Sequence, residues 1–197
     1  MTFKFEIYNT VLILVILLCL FFVFFQNHAI ISGKATSVFA TSNVSVQNYL
    51  SIALCTNLST GILFGDVATL PAININATHN YDGTSTGSTF CVNVSLDSNT
   101  AIDLCSKANT HLTSPSLDTI GLANETYSNS TSTDATLPAL GSDVSLTTSY
   151  VKSGDAIAAG GLNYYRFWLD IPAAQPSGDY NNTVYFKGVT TTLACGS

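Results

Sequence analysis

The pattern of apolar and polar positions divides the chain into two regimes. Val11–Phe25 reads VLILVILLCLFFVFF, fifteen consecutive apolar residues behind a short leader that carries Lys4 and Glu6. A helix that is apolar on every side offers no face to water, so the run is read as a membrane-entering segment. Fifteen helical residues rise about 22 Å, short of the roughly 30 Å hydrocarbon core. Counting from Ile7 gives nineteen residues and admits a span. Both a cleaved signal peptide and a retained anchor therefore satisfy the length. Gly33-Lys34-Ala35 and Val38-Phe39-Ala40 offer small-x-small cleavage sites. The positive charge ahead of the run favours a cytoplasmic N-terminus and an exported body. Residues 1–35 are accordingly assigned to the signal peptide or membrane anchor with its linker, and 36–197 to one extracellular domain.

Beyond Phe25 the apolar stripe of a helix gives way to period-two alternation and β-branched runs. Strands are predicted at Ser37–Val46, Tyr49–Cys55, Gly61–Val67, Thr89–Leu96, Ala101–Leu104, Asp118–Leu122, Val144–Val151, Leu162–Ile171 and Asn182–Leu193. Turn signals such as Gly141-Ser142, Gly160-Gly161 and Pro176-Ser177-Gly178 separate several of them. Short strands punctuated in this way predict an all-β fold, an antiparallel β-sandwich of Ig-like or jelly-roll-like type, behind one N-terminal hydrophobic helix. Asn124–Ala135, NETYSNSTSTDA, reads as an exposed polar loop. Tyr164–Val189 reads as the best-formed hairpin, closed by the turn at Pro176-Ser177-Gly178.

Composition sharpens the compartment. Only 9% of residues are charged, against roughly 25% in a typical soluble domain. The net charge is −6 with six Lys plus Arg, so a phosphate-binding surface is missing and nucleic acid is excluded as a partner. Cys19 sits inside the apolar run, where it is a small hydrophobe. Cys55, Cys91, Cys105 and Cys195 remain on the exported side, an even number that predicts two disulfides. Cys91 with Cys105, and Cys55 with Cys195, is the favoured pairing among three. Seven N-x-[ST] sequons, at Asn43, Asn57, Asn76, Asn93, Asn124, Asn129 and Asn181, suit a surface that carries glycans.

Candidate chemistry is sparse. Gly83-Thr84-Ser85-Thr86-Gly87 matches G-x-S-x-G in spelling, but a nucleophile elbow needs a strand before it and a helix after it. A flexible loop is the expectation there, with an exported hydrolase centred on Ser85 the least favoured function. His28, His79 and His111 lack the close spacing of a metal pair. Asn80, Asp82 and Thr84 begin, but do not complete, a calcium-loop pattern, and a turn held by Asx side chains is expected instead. No metal, cofactor or enzymatic activity is expected. Tyr164, Tyr165 and Trp168 form an aromatic strip that either packs in the core or stacks on a sugar. Arg166 and Asp170 share a strand face at i and i+4, an arrangement that admits a surface ion pair worth about 0–1 kcal/mol.

The stretch FWLDIPAAQPSGDYNNTVYFK (167–187), the early stretch Leu50–Ala72 with its GILFG, and NETYS at Asn124–Ser128 resemble small secreted archaeal β-sandwich surface proteins of uncharacterised role. More loosely, a leader followed by a sandwich resembles TasA-like and camelysin-like filament subunits. That resemblance implies a structural role without catalytic residues and polymerisation by strand donation. Together these readings predict a cell-surface or secreted structural protein, a subunit of an envelope or pilus-like filament. Its partners would be the membrane, met through Val11–Phe25 during export, and copies of itself, joined through the donor segment Ala35–Val46. The alternative is an adhesive module that binds surface glycans.

Overall fold

The computed structural model of the chain describes residues 2–26, 40–80 and 89–196, and within the N-terminal helix the side chains of residues 10–23. Two compact units meet in sequence at Ser45, Met1–Ser45 and Val46–Ser197. The first holds α1 (Thr2–Gln26), 25 residues of helix. Its apolar side chains from Val11 to Val23 are all about half or more exposed, because the run contains no polar residue to give it a second face. Among the described residues no helix is long and apolar enough to cross a membrane.

The second unit is built from antiparallel strands. In its six-stranded sheet the order is β1 (Ile52–Leu54), β3 (Phe90–Val94), β10 (Leu162–Ile171), β7 (Glu125–Ser130) and β8 (Val144–Ser145). The sixth strand, β2 (Ala72–Asn76), pairs with β10 beyond the end of β3. Thus β3 lies along Leu162–Tyr165 and β2 along Trp168–Ile171, while β7 flanks Tyr164–Leu169 on the other edge. β10 is long because it has ladder partners along nearly its whole length. A three-stranded sheet runs β11 (Val184–Thr190), β4 (Ile102–Ala108), β9 (Val151–Ile157). β5 (Leu112–Thr113) and β6 (Thr119–Ile120) form a small hairpin, and α2 (Thr56–Ser59) is a single turn after β1.

One apolar cluster draws on both larger sheets. Phe90, Val92, Tyr127, Tyr165 and Phe167 come from the six-stranded sheet, and Ile102, Leu104, Ala108 and Ile157 from the three-stranded one. Tyr165 meets Phe186 edge-on at 5.2 Å between ring centroids, and Phe90 meets Phe167 at 5.4 Å. Such pairs contribute about 0.5–1.5 kcal/mol beyond their buried area. Polar ties cross the same interior. The Tyr165 hydroxyl and the Asn163 amide both donate to the Ser153 carbonyl, at 2.9 and 2.8 Å. Without that acceptor the two donors would be buried unsatisfied, which is costly.

Much of the predicted strand set is present, with displaced ends. β10 matches its prediction end to end, and β3, β4, β6 and β11 fall in or overlap theirs. The prediction at 49–55 shortens to β1, and that at 144–151 splits between β8 and the start of β9. Four expectations are corrected. Residues 61–67 form no strand, since Gly61 at φ +107° and Gly65 at φ +72° break the extended geometry. Residues 40–46 form none either, and 37–39 lie outside the described residues. The polar stretch 124–135 is not a loop throughout: its first half is β7, with Glu125 and Tyr127 buried. Six register pairs with β10 override its loop-like composition.

The fourth correction concerns the hairpin of 164–189, which does not exist. β10 belongs to the six-stranded sheet and β11 to the three-stranded one, so the connection at 172–183 passes from one sheet to the other. The disulfide pairing changes for a similar reason. Cys55, Cys91, Cys105 and Cys195 are all bonded, but as Cys55–Cys91 and Cys105–Cys195. β1 pairs with β3, and the Cys55 N–H donates to the Cys91 carbonyl at 2.9 Å, which sets those two side by side. Cys91 and Cys105 stand in different sheets.

Candidate functional site

A cleft of about 990 Å³ opens where two irregular segments, 61–70 and 175–183, approach the β5–β6 hairpin and the end of β10. Leu112, Ile120 and Leu169 are buried there as a separate apolar cluster, with Phe64, Ile171 and Tyr180 packed against them. The 61–70 segment contributes side chains without a ladder, so Leu63 stays 56% exposed on the lining.

One charged group lies deep in this lining. Glu125, the first residue of β7, is 1% exposed. Asn182 donates its side-chain amide to Glu125 Oε2 at 2.6 Å. Burial disfavours the carboxylate and pushes the Glu125 pKa up to about 7, although the Asn182 hydrogen bond pulls the other way. Glu125 was hidden from sequence reasoning inside a run of Ser, Thr and Asn. Its one signal was being the lone acid of NETYS, in a chain poor in charge.

The aromatic strip is divided by the fold. Tyr165 is fully buried and Trp168 is 3% exposed, so neither presents a face to a sugar, and Tyr164 is half-buried. The Trp168 indole N–H donates to Asn76 Oδ1 at 2.9 Å. Tyr165 and Trp168 pack in the interior, in line with the core-packing reading of the strip. Arg166 and Asp170 do not pair. Arg166 is buried and donates to the carbonyls of Pro138 and Asp134, while Asp170 accepts the Asn74 N–H at 2.7 Å.

Of the sequon asparagines, Asn43, Asn76, Asn93, Asn129 and Asn181 are exposed, and Asn57 and Asn124 are half-buried. Asn76 Oδ1 is engaged by both Trp168 and Asn80. His79 packs edge-on against Phe90 at 5.6 Å, and His111 Nδ1 accepts the Leu122 N–H at 3.1 Å. Asn80 is tied to β10: its amide donates to the Phe167 carbonyl and its oxygen accepts the Phe167 N–H. His28, Asp82, Thr84 and Ser85 lie outside the described residues.

Two further surfaces stand out. Between α1 and the first strand, residues 40–46 carry no secondary structure, and Val44 and Val46 are 82% and 76% exposed. Among the described residues β1, β2, β8, β9 and β11 of the two larger sheets each pair with one neighbour only, which leaves strand edges open. On the three-stranded sheet, Lys107 of β4 lies over the rings of Tyr150 and Tyr185, at 4.7 and 5.7 Å. Comparison with protein-family models, curated proteins and solved structures finds no match to this chain.

Proposed function

We propose that the chain is an exported surface protein, a β-sandwich subunit of an envelope or filament that associates by adding residues 40–46 of one copy to an open strand edge of another. The observation that carries this reading is the state of that segment. It alternates Val44, Ser45, Val46, as a strand with one apolar face does, yet it forms no strand and leaves both valines more than three-quarters exposed. Two disulfides suit an oxidising, extracellular compartment, and the sequon asparagines all reach the surface. The apolar run of α1 is read as the export device, entering the bilayer through Val11–Phe25. The two large sheets, which share one core, are read as the layers of the sandwich. The role is structural, and no catalysis is assigned.

The test is assembly of the full chain recovered from the host surface, followed by light scattering and negative-stain microscopy. Concentration-dependent oligomers or fibres are expected, and Val44→Asp with Val46→Asp should abolish them while leaving the fold intact. A strictly monomeric chain, or a double variant that assembles like its parent, overturns the reading.

A further inference from the structure

The cleft has its own chemistry, separate from the open edges. Its deep lining is aliphatic, through Leu112, Ile120 and Leu169. Every charged residue on it is an acid, Glu125, Asp66 or Asp179, and no Lys, Arg or His among the described residues lines it. Glu125 is 1% exposed, and among the described residues its side chain has one hydrogen bond, the Asn182 amide at Oε2. A carboxyl buried with so little compensation carries a standing desolvation cost, which a bound cation would relieve. Apolar walls in turn favour hydrocarbon, at about 25 cal/mol per Å² removed from water.

We propose that this cleft binds a cationic amphiphile, an alkyl chain ending in an ammonium group. The chain lies against Leu112, Ile120 and Leu169, and the ammonium is the counter-ion of Glu125. Asp66 and Asp179 make the approach to the cleft attractive to the same charge and repulsive to a fatty carboxylate. A neutral alcohol of equal length gains the apolar contact but not the ion pair.

The experiment is calorimetric titration of the full chain at pH 8 with dodecylamine, 1-dodecanol and dodecanoate, each below its aggregation limit. Adsorption to α1 does not mimic the effect, since its charged residues, Lys4 and Glu6, are one of each sign and give no preference for an ammonium. Dodecylamine is expected to bind saturably, one per chain, at least about tenfold tighter than either competitor. Glu125→Gln should remove the preference over dodecanol and leave dodecanol binding unchanged. Equal binding of the three probes, absence of saturable dodecylamine binding, or an undiminished preference in folded Glu125→Gln overturns the proposal. The three-probe comparison decides it on the unaltered chain if Glu125→Gln does not fold. Assembly is read without any ligand, so failure of one proposal leaves the other standing.

Discussion

Asn182 reaches from the segment before β11 to Glu125 at the start of β7, and its amide N–H lies 2.6 Å from the carboxylate oxygen. The hydrogen bond joins the chain entering the three-stranded sheet to a central strand of the six-stranded one. Glu125 is also the buried charged group of the cleft, so stability and ligand chemistry meet in one carboxyl.

The first prediction follows from its protonation. The ordinary value of this carboxyl is 4.5, and burial raises it to about 7 in the fold. Between those values the folded chain holds a proton that the unfolded chain has released, so stability falls as pH rises. The contribution is complete below about pH 4.5 and lost as pH rises through about 7, about 3 kcal/mol in all. The melting temperature should therefore decline from pH 5 to pH 8. Glu125→Gln should flatten that decline, and equal slopes in the two proteins would refute the assignment.

Asn80 supports a second prediction. Its side chain donates to the Phe167 carbonyl at 2.7 Å and accepts the Phe167 N–H at 3.0 Å, pairing with β10 as one residue of a strand would. It does so just past β2, where a ladder would otherwise lapse. Asn80→Ala leaves the buried Phe167 N–H without this acceptor, at a cost of about 1–3 kcal/mol in chemical denaturation. Asn80→Asp keeps the acceptor and should lose less. A variant pair with the reverse order would show that the donor, not the acceptor, matters.

What the sequence revealed depended on whether neighbours in sequence were neighbours in space. β10 was legible to the residue because aromatic and aliphatic side chains such as Tyr165, Phe167, Trp168 and Leu169 are buried on both its faces. β7 was not, since its hydroxyl-rich residues become strand only by pairing with β10, a non-local fact. The supposed hairpin failed likewise: two good strands with a good turn between them went to different sheets because each had a better partner elsewhere. Of the candidate site, the cysteines were legible by count alone. The cleft was not legible, because Leu112, Glu125, Leu169 and Asn182 converge from four separated segments.

The disulfides give a third prediction. Non-reducing peptide mapping should recover Cys55 with Cys91 and Cys105 with Cys195. The second bridge closes a sequence separation of 90 against 36 for the first. On loop entropy it restricts the unfolded chain more, by about 4–5 kcal/mol compared with just under about 4. The Cys105→Ala, Cys195→Ala protein should accordingly be the less stable of the two paired deletions. Recovery of Cys91 joined to Cys105 would contradict the strand order itself.

The last prediction concerns a bulge on β9. Ala156 sits at φ +48°, a region that costs an L-residue about 1 kcal/mol and glycine little. Its N–H donates to Asp103 Oδ1 at 2.8 Å, while Lys152 bonds the other oxygen at 2.5 Å. Burial alone would raise the Asp103 carboxyl, but the hydrogen bonds from Lys152 and the Ala156 N–H, with the Lys152 charge, hold it below its ordinary 3.8. The stabilisation is therefore present above about pH 3.8 and is lost as pH falls through the lowered value. Ala156→Gly should stabilise the protein by up to about 1 kcal/mol, because it removes the strain and keeps the N–H. Asp103→Ala should destabilise it by about 1–3 kcal/mol, since the Ala156 N–H loses its acceptor. Urea titration at pH 7 and pH 3 reads both effects. If the Asp103→Ala penalty is as large at pH 3 as at pH 7, the carboxylate is not what holds the bulge.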